Sequence, residues 1–168
     1  MTPDTAPTLH LLCGKIAAGK STLATQLAAT PGTVLISEDD WLMALFGEEM
    51  ASIADFVRCS AKLRRVIGPH VVDLLKTGVS VVLDFQANTR DSRAWMRQLI
   101  ETSGAAHSLH FLDMPDSLCK ARLRIRNQSG EHAFTVSDTQ FELITSHFEE
   151  PDEQEGFAII RHKLPDGD

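Results

Sequence analysis

Short apolar runs alternate with longer helical stretches along the whole chain. Residues 9–13 form an apolar run that stops at Gly14, and 21–29 follow with helical composition until Pro31-Gly32. Residues 33–36 read as a second strand. A helix over 39–46 ends at Gly47, and a long one over 53–76 is expected to break at Gly68-Pro69 and to stop at Gly78. Residues 79–83 (VSVVL) are the clearest buried strand, a β-branched run bounded by Gly78 and Asp84. Helix 89–102, strand 107–112 and helix 116–126 come next, with a loop over 127–135. Ser137 and Gln140 have capping-box spacing for a helix running to about residue 148. An acidic loop over 149–156 leads to a fifth strand at 157–160, and Gly167-Asp168 is tail. Strands that alternate with helices across short turns require parallel crossovers, hence a three-layer α/β fold. With no internal repeat or dividing linker, residues 1–168 are expected to form a single domain.

Composition narrows the classes of function. Apolar residues make up 43% and charged residues 23%, which fits a globular chain rather than a disordered one. No run approaches the length of a membrane span, and the polar start of the chain lacks the basic and apolar regions of a signal peptide. Three cysteines (Cys13, Cys59, Cys119) without metal-ligand spacing suit a reducing compartment, so a cytoplasmic location is expected. The net charge of −7 weighs against a long nucleic acid as partner, because phosphate binding usually demands a basic face.

The decisive motif is Gly14-Lys15-Ile16-Ala17-Ala18-Gly19-Lys20-Ser21, a full G-x-x-x-x-G-K-S/T match. The glycines permit backbone angles and close approach that a Cβ would block. Successive N–H groups from Ile16 to Ser21 can then converge on phosphate oxygens, and the helix that follows adds its positive end. Lys20 supplies charge to the β and γ phosphates, the Ser21 hydroxyl ligates Mg²⁺, and Thr22 is placed to donate to the α phosphate. A chance match is expected in about one chain in a hundred or fewer, and this one has the required strand before it and helix after it. Lys15 is expected to face solvent, and Cys13 to pack in the core.

Carboxylates follow two other strands. Asp84 ends the VVL run, where the carboxyl edge of a parallel sheet meets its ligand, and it suits a Mg²⁺-holding role. In Ser37-Glu38-Asp39-Asp40-Trp41, Asp39 is preferred as the base that takes a hydroxyl proton. Asp40 reads as a helix cap or supporting group, and Glu38 as the competitor for the base role. Arg122 and Arg126 share a helix face and can neutralise a phosphoryl group in flight, with Arg126, nearest the loop, preferred; Arg124 points elsewhere. A small lid over about 122–136 is expected. Arg90 and Arg93 either bind an anionic group of the acceptor or pair with surface acids. Trp41 and Trp95 read as packing residues, and the seven histidines show no metal-like spacing.

The phosphate loop, the Glu38-Asp39-Asp40 turn, the VVLD strand with Asn88-Thr89-Arg90, the arginine helix and the 148–157 segment occur in a familiar order. The chain resembles the small ATP-dependent kinases of the AAA-domain-containing group, related to polynucleotide 5′-hydroxyl kinases, zeta toxins and chloramphenicol phosphotransferase. The likeness covers residues 9–160. It implies a P-loop NTPase fold with a five-stranded parallel sheet in the order 2-3-1-4-5, Asp39 as the base, an arginine lid, and a 151–157 loop near the nucleotide base. Kinases of polynucleotide ends tend to carry an arginine a few residues past the paired aspartates; here Leu42, Met43, Ala44 and Leu45 fill that stretch.

The expected activity is therefore transfer of the γ-phosphoryl group of ATP, with Mg²⁺, to a hydroxyl of a small-molecule acceptor. The alternatives are a 5′-hydroxyl nucleic-acid kinase and a regulatory nucleotide-binding ATPase. The absence of N-K-x-D and D-x-x-G motifs argues against a guanine-nucleotide switch. Neither the acceptor nor an oligomeric state is written in the sequence.

Overall fold

A computed structural model describes residues 6–130 and 135–164. Five strands, β1 (Thr8–Gly14), β2 (Thr33–Ser37), β3 (Ser80–Gln86), β4 (Ala106–Leu112) and β5 (Ile159–His162), form one sheet in the order β2-β3-β1-β4-β5. Every neighbouring pair is parallel. The helices α1 (Lys20–Ala28), α2 (Glu38–Phe46), α3 (Ile53–Lys76), α4 (Arg90–Ser103), α5 (Asp116–Ser129) and α6 (Asp138–Thr145) supply the crossovers and the outer layers. This is the P-loop NTPase arrangement that the resemblance implied.

Alternation along the central strands divides the core between two faces. Leu9, Leu11, Val81 and Leu83 point to one side and pack under α3 and α4 with Ile67, Val71, Met96 and Leu99. Leu12 and Val82 point to the other side, beneath Ala24 of α1, while Leu112 meets Cys119, Leu123 and Phe141 of α5 and α6. On this second face His10, His110 and His162 make a row across β1, β4 and β5. His10 Nδ1 lies 3.2 Å from His110 Nε2, and His110 Nδ1 lies 3.1 Å from His162 Nε2. Burial, with the neighbouring His10 and His162, holds the His110 imidazole down at about 4.

Three local expectations are corrected. The long helix does not break at Gly68-Pro69: α3 runs unbroken with Pro69 inside it. Pro69 removes one backbone bond on the solvent side, where water can satisfy the freed carbonyl, whereas the stripe of Leu63, Ile67, Val71 and Leu75 is buried. Gly68 is a contact surface, since a Cβ there would lie 3.4 Å from both Leu99 and Trp95 of α4. The VVL strand continues past Asp84 to Gln86, helped by an irregularity between Leu11 and Leu12 that shifts the pairing of β1 with β3. The fifth strand starts two residues later than expected, because Phe157 turns onto the His107 ring instead.

Candidate active site at the carboxyl edge

The bend after β1 holds two left-handed residues, Gly19 (φ 105°) and the non-glycine Ala17 (φ 62°). An alanine there stores strain, of the order of 1–3 kcal/mol, of the kind that collects at ligand-clamping turns. Gly14 has no space for a side chain: a Cβ would sit 3.2 Å from the Leu112 backbone oxygen and 3.3 Å from Ala18 Cβ. Asn88 brackets Gly14, its Nδ2 donating to Gly14 O at 2.8 Å and its Oδ1 accepting from Gly14 N at 2.9 Å. That clasp joins the phosphate loop to the turn after β3.

Lys20 opens α1. Its ammonium lies across the mouth of the loop, donating to Gly14 O and, at 2.8 Å, to Lys15 O. Burial lowers its ionisation to about 8, against the charges of Asp84 and Asp39, which favour the cation. Ser21 and Thr22 are exposed in the first turn of α1. Lys15 does not stand free in solvent as expected; it pairs with Asp116 at 2.5 Å. Cys13 is fully buried, and burial pushes its thiol up to about 12, so it packs rather than reacts.

Ser21 Oγ lies 3.4 Å from Asp84 Oδ2. Burial first, and then the charge of Asp39, raise the Asp84 carboxyl above its ordinary range. Asp39 therefore belongs to the same electrostatic cluster as Lys20 and Asp84. Asp40 is not the helix cap; Ser37 is, accepting from Asp40 N at 3.3 Å, while Asp39 and Asp40 stand exposed in the first turn of α2. Glu38 turns inward and is 4% exposed, accepting from Ser60 Oγ and the Gln86 backbone N–H. Burial raises its carboxyl despite those donors. Inward turning removes Glu38 from competition for an acceptor proton.

On α5, Arg122 meets the phosphate loop, and Arg126 follows one turn later. Arg122 Nη1 donates to Ala18 O at 3.2 Å, and Arg126 Nε is buried without a partner. Arg124 pairs with Asp138 at 2.5 Å. The expected lid overlaps the second half of α5; its residues 131–134 lie outside the described residues.

Arg93 is not an anion receptor. It is fully buried, its Nε bound to Glu155 at 2.8 Å and its Nη1 to the carbonyls of Ala87 (2.9 Å) and Glu149 (2.8 Å). Arg90 lies 3.7 Å from Glu149 and 3.8 Å from Asp152. The 151–157 loop is held against α4 by Arg93 on Glu155 and by Arg97 on Gly156 O. Just before it, Phe148 and Glu150 line, with Lys15, Asp113 and Met114, a cleft of about 240 Å³. A second cleft, of about 120 Å³, opens among Lys15, Gln86, Thr89 and His147. Trp95 packs on Phe85, but Trp41 remains 40% exposed and is no core residue.

The donor set suits a cation held between protein and phosphate. Among the described residues no three His, Cys, Asp or Glu side chains are grouped to bind a metal by themselves. Ser21 and Asp84 offer two hard oxygens 3.4 Å apart beside the phosphate loop, the donor type that suits Mg²⁺.

A profile described as "AAA domain" matches residues 9–151. The chain belongs to the AAA domain family. Solved structures agree on the fold at low identity. A candidate kinase from Chloroflexus aurantiacus is 19% identical, with a TM-score of 0.76 over 96% of this chain and 87% of that one. The APS kinase of Mycobacterium tuberculosis, solved with AMPPNP and APS, is 21% identical, with a TM-score of 0.62 over 99% and 92%. A chain of the Pnkp1/Rnl/Hen1 RNA repair complex is 22% identical, with a TM-score of 0.63 over 86% of this chain and 45% of that one. Among proteins with curated descriptions, none matches. This member of the family thus has a kinase-like P-loop core. No helix among its described residues is long and apolar enough to cross a membrane.

Proposed function

We propose that this protein is a phosphotransferase that moves the γ-phosphoryl group of ATP to a hydroxyl of a small-molecule acceptor. The observation that carries the reading is the placement of Asp39, which follows β2 and whose charge bears on both Lys20 and Asp84. The Asp39 carboxylate takes the acceptor proton as the acceptor oxygen bonds to the γ phosphorus; the bond from that phosphorus to the β–γ bridging oxygen breaks, and ADP leaves. Lys20 gives up its own loop carbonyls for the β and γ phosphates. The backbone N–H groups of Ile16 to Ser21 hold the polyphosphate, with Thr22 toward the α phosphate. Ser21 and Asp84 would hold Mg²⁺, which would supply charge neutralisation at the triphosphate. Arg122 meets the loop from α5, and Arg126, one turn further on with a donor to spare, neutralises the phosphoryl group in transit. The whole chain acts as one domain, with α5 and the following segment as its lid. The net charge of −7 favours a small acceptor over a polynucleotide.

The test is acceptor-dependent ADP release across a panel of hydroxyl compounds that includes short RNA and DNA, with the product mass confirmed. The Asp39→Asn variant is expected to bind ATP normally and to lose about a hundredfold or more in turnover. The reading fails if no compound lifts ADP release above the acceptor-free rate.

A further inference from the structure

Two guanidinium groups are built into the region where α3 and α4 meet the carboxyl edge, and their treatment differs sharply. Arg93 has a carboxylate and backbone carbonyls for its donors. Arg64, on α3, has almost nothing. Its Nη1 and Nη2 both reach the same hydroxyl, Ser92 Oγ, at 3.3 Å, the long end of hydrogen-bonding range. Its Nε is buried without a partner, and no carboxylate among the described residues forms an ion pair with it. Glu38, the acid whose charge it feels, is already occupied by Ser60 and by the Gln86 N–H. The group nonetheless lies over Trp95, its Cζ 4.9 Å from the ring centroid, a cation–π contact that helps to hold it in place.

A half-buried guanidinium with one shared neutral acceptor is costly to keep, and five N–H donors ask for a bidentate oxyanion. Its position suits one. Arg64 lies one helical turn beyond Ser60, which touches Glu38, the residue next to Asp39. Ser92 stands in the first turn of α4, whose N-terminal field favours a negative group. The other arginines are poorer choices: Arg93 is saturated, and Arg90 already lies near two surface acids.

We infer that Arg64, with Ser92, is the receptor for an oxyanion carried by the phosphoryl acceptor, so that the acceptor is a hydroxy acid or a hydroxyl compound already bearing a phosphate. This rests on the phosphotransferase reading.

The experiment compares matched acceptors, each hydroxyl compound with its carboxylated and its phosphorylated form, in the wild type and in Arg64→Gln and Arg64→Lys. The wild type is expected to favour an oxyanion-bearing member by roughly ten- to a hundredfold in kcat/KM, mostly through KM, the size of a charge-assisted bond. Arg64→Gln removes that preference and leaves the neutral member unchanged, and Arg64→Lys retains part of it. Equal losses for charged and neutral members, or no preference in the wild type, overturn the inference. A second measurement separates this failure from that of the phosphotransferase reading. With the phosphate loop saturated by Mg²⁺ and AMPPNP, inorganic phosphate and acetate are titrated calorimetrically into wild type and Arg64→Gln. Heat with either anion that is lost in Arg64→Gln supports the receptor even where no acceptor is turned over. Equal heat in both proteins, or none in the wild type, overturns it. Should Arg64→Gln fail to fold, Arg64→Lys decides on the same readouts, weaker binding supporting the receptor and unchanged binding overturning it.

Discussion

Arg93→Met tests how the carboxyl edge is held together. Methionine keeps most of the buried volume while removing every donor. It strands the Glu155 carboxylate, whose side chain is 14% exposed, together with the buried ends of two carbonyl bonds that now measure 2.8 and 2.9 Å. Breaking a buried pair from one side costs about 3–5 kcal/mol. Against a total stability of about 5–15 kcal/mol, the variant stays folded but marginal. For a chain of this size, about 2–4 °C per kcal/mol lowers the melting midpoint by about 6–20 °C. Urea unfolding followed by tryptophan fluorescence measures the loss directly, because Trp95 stands two residues along the same helix. The acid limb gives an independent check. Burial alone would raise the Glu155 carboxyl, but the Arg93 bond, the Asp152 N–H and the arginine charges outweigh it and leave it below its ordinary 4.5. In the folded protein the carboxylate form is thus the favoured one. Its contribution is complete above that value and fades as the pH drops through the lowered folded value, and Arg93→Met flattens this part of the profile. A loss under about 1 kcal/mol, with the acid limb unchanged, refutes the reasoning.

Two further outcomes follow from the same physics. Lys20 ionises near 8 in the free protein, and a bound triphosphate favours its cation; nucleotide binding just above pH 8 should therefore take up protons. Calorimetry in buffers of different ionisation enthalpy shows the uptake in the wild type and none in Lys20→Arg, and buffer-independent heats in the wild type contradict it. His110 ionises near 4 in the folded chain and near 6.5 when unfolded, so stability is complete above 6.5 and declines as the pH falls toward 4. The urea midpoint of His110→Gln is expected to vary less over that window, and a parallel slope in both proteins refutes the reading.

Much of the carboxyl edge was legible because its chemistry is local. The phosphate loop is eight consecutive residues, and β1 and β3 announce themselves through apolar runs that need no tertiary context. The arginine helix is legible from its spacing, and Arg122 on it reaches Ala18 O. What failed depends on distant partners. Gly68-Pro69 reads as a break until Trp95 and Leu99 are known to pack against that glycine. Arg93 reads as a surface cation until the 149–155 segment is seen to fold over it. The histidine row has no sequence signal, since its members stand 100 and 52 positions apart and meet only through strand order. Arg64 gave no signal either; one arginine in a helix of mixed polarity resembles any other until its missing partners are counted.

The double hydrogen bond between Asn88 and Gly14 has a mechanical consequence. It rivets the bend that grips the donor to the turn that leads into Arg90, Ser92 and the rest of α4, so these parts travel as a single rigid jaw. On the phosphotransferase reading, opening for substrate would come from the opposite side, where α5 meets the bend through the Lys15–Asp116 pair and the Arg122 contact on Ala18. Both are polar attachments that an arriving polyphosphate can compete for, so the donor itself would undo the latch as it lands.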